Sequence, residues 1–466
     1  MLSIEDIIMA TGGKLISGTE KVDITGVSTD SRTVKKGDLF VPLKGQTFDG
    51  HDFIGHALNS GAVAALTAKE LTFHTDKAIV LVDDTLSALQ NVAKYHRERF
   101  DHLKVIGVTG STGKTTTKEM IYAVLRKRFN VLKTVGNFNN QIGLPLTLLN
   151  LNESHDIAVV EMGMSSFGEI RALKDIAKPD IAVYTNIGIS HIEKLGSREN
   201  ILKAKLEMVE DFNKDNWVVL NADDDMLFNA LKGIPGTIVT YGVNRGDIKA
   251  TDIKQADKLC FKVAHGNESV KDVVVELSAY GMHNVYNALA AIAVGLIFDI
   301  SLSEIAAGLK DYTPEKMRLN VVKANGIVII DDCYNASPDS MRAAVDVLSG
   351  ISKGDLRTIA VLGDMKELGD YSVAAHRDVG EYVHKKGIDI LLCVGTLAEY
   401  IGQGAVTSGM EVSNIYKVRD NREAIGLLKR LLKRDDVVLV KGSRAMKMEE
   451  IVNFLRGEEI CSYLCS

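Results

Sequence analysis

Val105-Ile106-Gly107-Val108-Thr109-Gly110-Ser111-Thr112-Gly113-Lys114-Thr115 sets a β-branched run against a glycine-rich loop that opens a helix reaching to about Arg128. Glycines let a backbone approach a phosphate closely. Successive N–H groups and the helix N-terminus then supply positive potential, and Lys114 adds a point charge. Thr115 offers a hydroxyl to a phosphate-bridging Mg²⁺. The general pattern G-x-x-x-x-G-K-[ST] fails only at its first glycine, where Val108 stands and Gly107 comes one residue early. In its strand–loop–helix setting the segment reads as a nucleotide-binding loop. A GTPase switch is disfavoured: there is no N-K-x-D guanine motif, and Asn213-Lys214-Asp215 has the wrong spacing.

The same pattern of a short apolar run, a small or polar end and a following helix recurs outward from this stretch. In the middle third it appears at Ala158-Val159-Val160-Glu161, Ala182-Val183-Tyr184-Thr185-Asn186 and Val218-Val219-Leu220-Asn221. In the last third it appears at Val328-Ile329-Ile330-Asp331-Asp332, Ile359-Ala360-Val361-Leu362-Gly363, Leu391-Leu392-Cys393-Val394-Gly395 and Val437-Val438-Leu439-Val440-Lys441. Runs buried on both faces and alternating with helices imply parallel sheets in two α/β domains. Ligands bind beyond the carboxyl ends of such strands, where Gly110, Glu161, Asn186, Asp332 and Lys441 fall. Composition breaks follow the helical stretch 86–100 and the Ala-rich helix that begins near Asn284. The expected fold is α/β in three domains: a small N-terminal α/β substrate domain (1–100), a central parallel-sheet ATPase domain carrying the phosphate loop (101–313) and a C-terminal Rossmann-like α/β domain (314–466).

Composition narrows the function classes. A net charge of −6 gives no electrostatic footprint for nucleic acid. No run approaches the roughly 20 apolar residues that span a bilayer. The start Met1-Leu2-Ser3-Ile4-Glu5-Asp6 lacks a basic leader, so no membrane insertion and a cytoplasmic location are expected. Cys260, Cys333, Cys393, Cys461 and Cys465 form no C-x-x-C pair and read as reduced thiols. Cys461 and Cys465 sit a helical turn apart in an apolar tail without a prenylation box.

Read locally, other polar positions stay open. Glu161 ends a strand where a carboxylate can hold a hard cation, or it is an acid at a turn. His191, past another strand end, is more often structural in such a place, and Lys205 by default is a solvated helix lysine. In the first hundred residues Ser31 and Arg32 lie in Ser28-Thr29-Asp30-Ser31-Arg32, and Phe48 in Gly45-Gln46-Thr47-Phe48-Asp49-Gly50-His51. Arg32 is a candidate anion clamp and Phe48 a base-stacking face, against ordinary β-turns.

Thr109 to Thr116 fit T-G-[ST]-x-G-K-T-[ST], the phosphate loop of the Mur ligase family, which lacks the early glycine. Further matches are Gly136-Asn137-Phe138-Asn139-Asn140-Gln141-Ile142-Gly143-Leu144-Pro145, Glu161-Met162-Gly163 and Asn186-Ile187-Gly188-Ile189-Ser190-His191-Ile192-Glu193. Gly281-Met282-His283-Asn284-Val285-Tyr286-Asn287-Ala288, Asp331-Asp332-Cys333-Tyr334-Asn335-Ala336-Ser337-Pro338, Leu362-Gly363-Asp364-Met365-Lys366-Glu367-Leu368-Gly369 and Lys441-Gly442-Ser443-Arg444 complete the set. The chain resembles the Mur ligase family over essentially its whole length, and most of all its D-alanyl-D-alanine-adding branch.

That resemblance implies the following roles. Gly110, Ser111, Thr112, Gly113, Lys114, Thr115 and Thr116 hold the ATP phosphates. Two Mg²⁺ ions are expected on Thr115, Glu161, His191 and Lys205, the lysine being carbamylated into an oxygen ligand. Asn284 and Asn287 lie by the adenine, Arg318 by the γ-phosphate and Asp332 by the ribose. Lys114, Glu161, His191, Lys205 and Arg318 form the catalytic set. Ser31, Arg32 and Phe48 lie toward the UDP end of the substrate, with Asn139, Asn140, Tyr334 and Asn335 as further substrate contacts. The implied reaction joins D-alanyl-D-alanine to a UDP-N-acetylmuramoyl-tripeptide through an acyl phosphate, in a peptidoglycan-synthesis enzyme expected to be a monomer. His376 is a candidate base for the amine, or a structural helix residue. The rivals are a related ligase adding a single amino acid (tripeptide-forming or folylpolyglutamate-like), a non-catalytic nucleotide-dependent scaffold and a mechanical or switch NTPase.

Overall fold

The structure, a computed structural model, describes residues 2–256, 258–265, 273–352 and 355–458. Cys461, Cys465 and the apolar tail that holds them lie outside the described residues.

The phosphate-loop strand Lys104–Thr109 lies deep in a nine-stranded sheet, flanked in parallel by Ile157–Glu161 and Ile181–Tyr184. Trp217–Asn221 and Thr237–Gly242 extend one side and Val131–Lys133 caps the other, all parallel. Alternate side chains leave a strand on opposite faces, and this sheet uses both. Val105, Ala158, Val160, Ala182 and Leu220 pack into one buried cluster. Ile106, Val108, Val159, Val183 and Val219 pack into another, against the helices Lys114–Leu125 and Met282–Ile297. Apolar residues on both faces are why these strands read as continuous hydrophobic runs.

Beyond Thr237–Gly242 the sheet continues through Ile248–Gln255 and turns antiparallel at Leu259–His265 and Val274–Leu277. Leu259, Phe261 and Val263 are buried while Cys260, Lys262 and Ala264 are only partly covered. These strands are absent from the sequence reading because a one-faced strand gives only an alternating signal, weaker than a continuous run.

The last third builds a six-stranded sheet in the order Asn320–Ala324, Ile327–Asp331, Val437–Lys441, Thr358–Gly363, Ile390–Val394, Ile415–Val418, parallel except for its first strand. The first buried cluster runs on without a break into its helix Pro338–Ser352 through Met341, Ala344 and Val345. A five-stranded sheet of residues 14–81 forms the first part, parallel except for Lys14–Ser17. Its core reaches Ile142, Leu146 and Leu149 of the central part.

One close crossing in the last third gives a test of packing. The helices Ser372–Lys385 and Glu399–Thr407 approach so nearly that a Cβ on Gly380 would lie 1.8 Å from the Ile401 carbonyl oxygen. Gly380→Ala is expected to destabilise the protein by about 1–3 kcal/mol, the usual range for overpacking, seen as a lower denaturant midpoint.

Candidate active site

Gly110 and Gly113 shape the phosphate loop by close approach. Gly110 takes φ 155° with the Thr185 hydroxyl only 1.8 Å from where a Cβ would sit. Gly113 takes φ 79°, and its Cβ would lie 2.6 Å from Asn287 Oδ1. Gly107 serves a different end: it is a strand residue whose missing side chain clears Met208 Sδ at 2.7 Å. The early glycine is thus a packing residue, and Val108 behind the loop is core. No side chain caps the helix Lys114–Leu125 and no acid sits in its first turn, which leaves N–H groups and positive potential for an anion.

The loop is bound to the segment that carries His191. Ser111 N–H donates to Asn186 O at 2.9 Å and Thr112 N–H to Asn186 Oδ1 at 3.0 Å. Gly188 N–H donates to Ser111 Oγ at 2.9 Å. Asn287 is held from both ends, accepting from the Thr117 hydroxyl at 3.1 Å and donating to Asn284 Oδ1 at 3.0 Å.

A cavity of about 770 Å³ opens where the central and last sheets meet at the carboxyl ends of their strands. Ser111, Thr112, Gly113, Lys114, Thr115 and Thr116 line its floor, with Asn284 and Asn287 beside them. Asn139, Asn140, Glu161 and His191 line one wall, and Arg318, Asp332, Tyr334 and Asn335 come from the last third. Lys205 and Gly110 are not among the lining residues. Ser31, Arg32 and Phe48 belong to the first part of the chain, away from this cavity. Arg32 is largely exposed; its guanidinium, with Nη2 2.7 Å from Asp30 Oδ2, and then its backbone N–H, at 3.0 Å from Oδ1, bring the Asp30 carboxyl pKa down to about 2. Phe48 is 60% exposed, packed over Gly45.

Arg318 reaches across the junction: its Nη2 donates to Thr115 Oγ1 at 3.2 Å, and its guanidinium lies 4.0 Å over the Tyr334 ring. Asp332 accepts from Lys441 Nζ at 2.6 Å and from Leu319 N–H at 3.1 Å. Lys114 Nζ donates to Gly110 O at 2.8 Å. Burial lowers the Lys114 pKa, and the Glu161 carboxylate partly opposes that. Lys205 is 2% exposed, on the helix Arg198–Leu206, with no hydrogen-bond or ion-pair partner for its amine among the described residues. Burial and then the Lys114 charge push its pKa well below the usual lysine value.

Among the described residues no three His, Cys, Asp or Glu side chains gather as a metal cage. Mg²⁺ does not need one, because it binds one or two protein oxygens together with phosphates and water. The oxygens present fit that habit. Glu161 Oε1 accepts from Asn139 at 2.8 Å, while its Oε2 is buried without a hydrogen-bond partner. An orphaned carboxylate oxygen beside a phosphate loop suits a cation.

The structure brings forward residues given no role in the sequence reading. Glu367 Oε2 lies 2.6 Å from His191 Nδ1, and the His191 ring holds the Glu367 carboxyl below its ordinary value. His283 lines the cavity, and burial lowers its pKa to about 4, so the ring is neutral. Their motifs were visible, but no local signal joins them to the site. His376 is structural. It is fully buried, its Nε2 accepts from Met365 N–H at 3.0 Å and its Nδ1 meets Ser372 O at 2.6 Å.

Known proteins share this chain's sequence pattern and fold. Residues 108–295 match the Mur ligase middle domain, 317–444 the Mur ligase glutamate ligase domain and 23–97 the Mur ligase family catalytic domain. The chain is 41% identical over 439 residues to the UDP-N-acetylmuramoyl-tripeptide–D-alanyl-D-alanine ligase of Bacillus subtilis strain 168, covering 94% of each chain. The crystal structure of MurF from Acinetobacter baumannii superposes with a TM-score of 0.88 at 33% identity, covering 98% of both chains. That of the Thermotoga maritima MurF ligase in complex with ADP gives 0.82 at 32% identity, covering 93% of this chain and 97% of that one. Sequence, fold and cavity converge: this chain belongs to the Mur ligase family.

Proposed function

We propose that this chain is an ATP-dependent ligase that joins D-alanyl-D-alanine to a UDP-N-acetylmuramoyl-tripeptide, yielding the pentapeptide precursor of peptidoglycan, ADP and phosphate. The observation that carries the reading is Arg318 from the last third, bonded to Thr115 of the phosphate loop in one cavity with Glu161, His191 and Asp332. A switch or motor NTPase needs no second sheet at its γ-phosphate position, whereas a ligase must enclose a hydrolysable intermediate. Division of the chain near residues 100 and 313 follows from the same reading.

The tripeptide carboxylate attacks the γ-phosphorus of ATP; the γ-phosphorus–oxygen bond breaks and ADP leaves, giving an acyl phosphate. The dipeptide amine then attacks the acyl carbon, loses a proton, and phosphate departs. Lys114 and Arg318 neutralise charge on the transferring group, and the enclosure holds the reactants in line. Asn284 and Asn287 flank the nucleotide, Asp332 its ribose, and Tyr334 and Asn335 the incoming dipeptide. Thr115 and Glu161 would hold one Mg²⁺; His191 and a carbamylated Lys205 would face a second. Bound there, Mg²⁺ supplies charge neutralisation at the phosphates and the acyl oxygen. Asn139 and Asn140 lie in the loop that continues into the helix packed on the first sheet, so a substrate held at its UDP end by Ser31, Arg32 and Phe48 can extend over this loop to the cavity. Dependence on ATP suits a cytoplasmic location, and a site complete within one chain suits a monomer. Among the described residues no helix is long and apolar enough to cross a membrane.

The test is phosphate release and pentapeptide formation with Mg-ATP, the UDP-linked tripeptide and D-alanyl-D-alanine. Both products are expected only when all three are present. Phosphate release indifferent to the dipeptide would exclude this function, and product with a single amino acid in its place would select the related-ligase alternative.

A further inference from the structure

Attack by the dipeptide amine needs a proton acceptor, and His376 is buried in the last third with both ring nitrogens engaged. The cavity offers carboxylates instead. Among the described residues five line it, and four of them already have hydrogen-bond or ion-pair partners. Glu161 accepts from Asn139 and keeps one oxygen for a cation. Glu169 accepts from Ser165 N–H at 2.8 Å and from the Ser166 hydroxyl at 2.6 Å. Asp332 is bonded to Lys441 and to Leu319 N–H, and Glu367 lies against His191. Asp339 is the fifth. Among the described residues its carboxyl accepts no hydrogen bond, and the Arg342 guanidinium stands 3.8 Å away, beyond hydrogen-bond reach.

An acid in the first turn of a helix usually serves that helix, by bonding its free N–H groups or complementing its dipole. In the helix Pro338–Ser352 serines tie the opening turn: Ser337 N–H donates to Ser340 Oγ at 2.9 Å, and Ser340 Oγ donates to Ser337 O at 3.0 Å. Asp339 reaches across the junction to the central part. A Cβ on Gly188 would lie 2.3 Å from Asp339 Oδ2 and 3.5 Å from Ser111 Cβ. Gly188 N–H in turn donates to Ser111 Oγ at 2.9 Å. The missing side chain at 188 thus leaves the space in which this carboxylate stands beside the phosphate loop.

A carboxylate set against a phosphate-binding loop adds repulsion unless a cation comes between them. The incoming dipeptide is a cation at its reacting end, because an α-amine is largely protonated at neutral pH. In that form it has no lone pair to attack with. A carboxylate attracts the ammonium and can take its proton.

We propose that Asp339 is a catalytic residue of the second step, receiving the ammonium of the dipeptide and taking its proton so that the nitrogen can attack the acyl carbon. The N–C bond forms, and the bond from the acyl carbon to the phosphate oxygen breaks. Of the two protons the nitrogen gives up, one ends on the departing phosphate and one passes through Asp339 to water. The proposal rests on the ligase reading.

The test separates the two steps. With Mg-ATP and the UDP-linked tripeptide but no dipeptide, the acyl phosphate is trapped by borohydride and the reduced product is counted. Asp339→Asn keeps the size of the side chain. It is expected to change that first step less than about twofold, while pentapeptide formation falls by about 10²-fold, the scale of losing a general base. Hydroxylamine, largely unprotonated at neutral pH, should bypass the defect when it replaces the dipeptide, giving hydroxamate at nearly the wild-type rate. Arg342→Gln is the control: it removes the cation at 3.8 Å, leaves the carboxylate in place and should ligate at close to the wild-type rate. The proposal is overturned if Asp339→Asn ligates the dipeptide within about threefold of wild type, or slows hydroxylamine as much as the dipeptide. A first step that needs more Mg²⁺ in Asp339→Asn overturns it in favour of a metal ligand, and an equal loss in Arg342→Gln overturns it in favour of a helix contact. A wild type that forms no acyl phosphate overturns the ligase reading itself.

Discussion

Lys205→Ala is expected to lower ligation by roughly 10²–10³-fold, the scale for losing one preorganised electrostatic partner, and short carboxylates such as acetate should return a measurable part. The reason is burial without a counterion. A lysine that is 2% exposed, unpaired and near Lys114 is held toward the neutral amine. A charged ammonium there would carry a desolvation cost of several kcal/mol. A neutral amine is a nucleophile. It can add to CO₂, forming an N–C bond and releasing a proton to water, and the resulting carbamate offers oxygens where the ammonium offered none. Alanine leaves space beside the site that a small carboxylate can enter. The assay is pentapeptide formation with and without added acetate, alongside thermal unfolding to establish that the variant folds. A ¹³C resonance from labelled bicarbonate should appear in the wild type and be absent from the variant. Full activity in Lys205→Ala would remove the carbamate from the mechanism.

How much of this was legible beforehand depended on how far a signal travels along the chain. Strands apolar on both faces, such as Ile157–Glu161 and Val437–Lys441, announced themselves as continuous runs and began and ended within a residue or two of the reading. The one-faced strands at 248–277 did not, since alternation over few residues competes with chance. Within the site, the phosphate loop was readable because glycine spacing and backbone geometry are local. Even so, what Gly107 does needed Met208, a hundred residues away. Lys205 read locally as a solvated lysine, and its burial is a tertiary fact. The pairings Glu367 with His191 and Lys441 with Asp332 join residues on different elements, so no spacing encodes them. Resemblance to a family supplied names for several of these positions, but not the carboxylate behind His191.

The strain around Arg318 makes it the sharpest test of the two-domain site. Both its neighbours have left-handed backbones, Met317 at φ 63° and Leu319 at φ 47°, though neither is glycine. Each such residue costs on the order of 1–3 kcal/mol. The turn is held by Leu319 N–H donating to Asp332 Oδ1 at 3.1 Å and Tyr334 N–H donating to Met317 O at 3.2 Å. The product of that arrangement is a guanidinium laid on Tyr334 and delivered to Thr115 from the other domain. An arginine supplied this way acts where charge develops during phosphoryl transfer, and such residues contribute about 10³–10⁵ in rate. Arg318→Ala is therefore expected to lower kcat by about 10³-fold or more while ADP binding weakens far less. Arg318→Lys should recover little, because an ammonium lacks both the planar fork and the face that stacks on the ring. Single-turnover measurement of phosphate transfer to the tripeptide, set beside calorimetric ADP affinity, separates the two effects. A kcat within tenfold of wild type would mean that the phosphate loop works without the last domain, and the two-sided site would have to be abandoned.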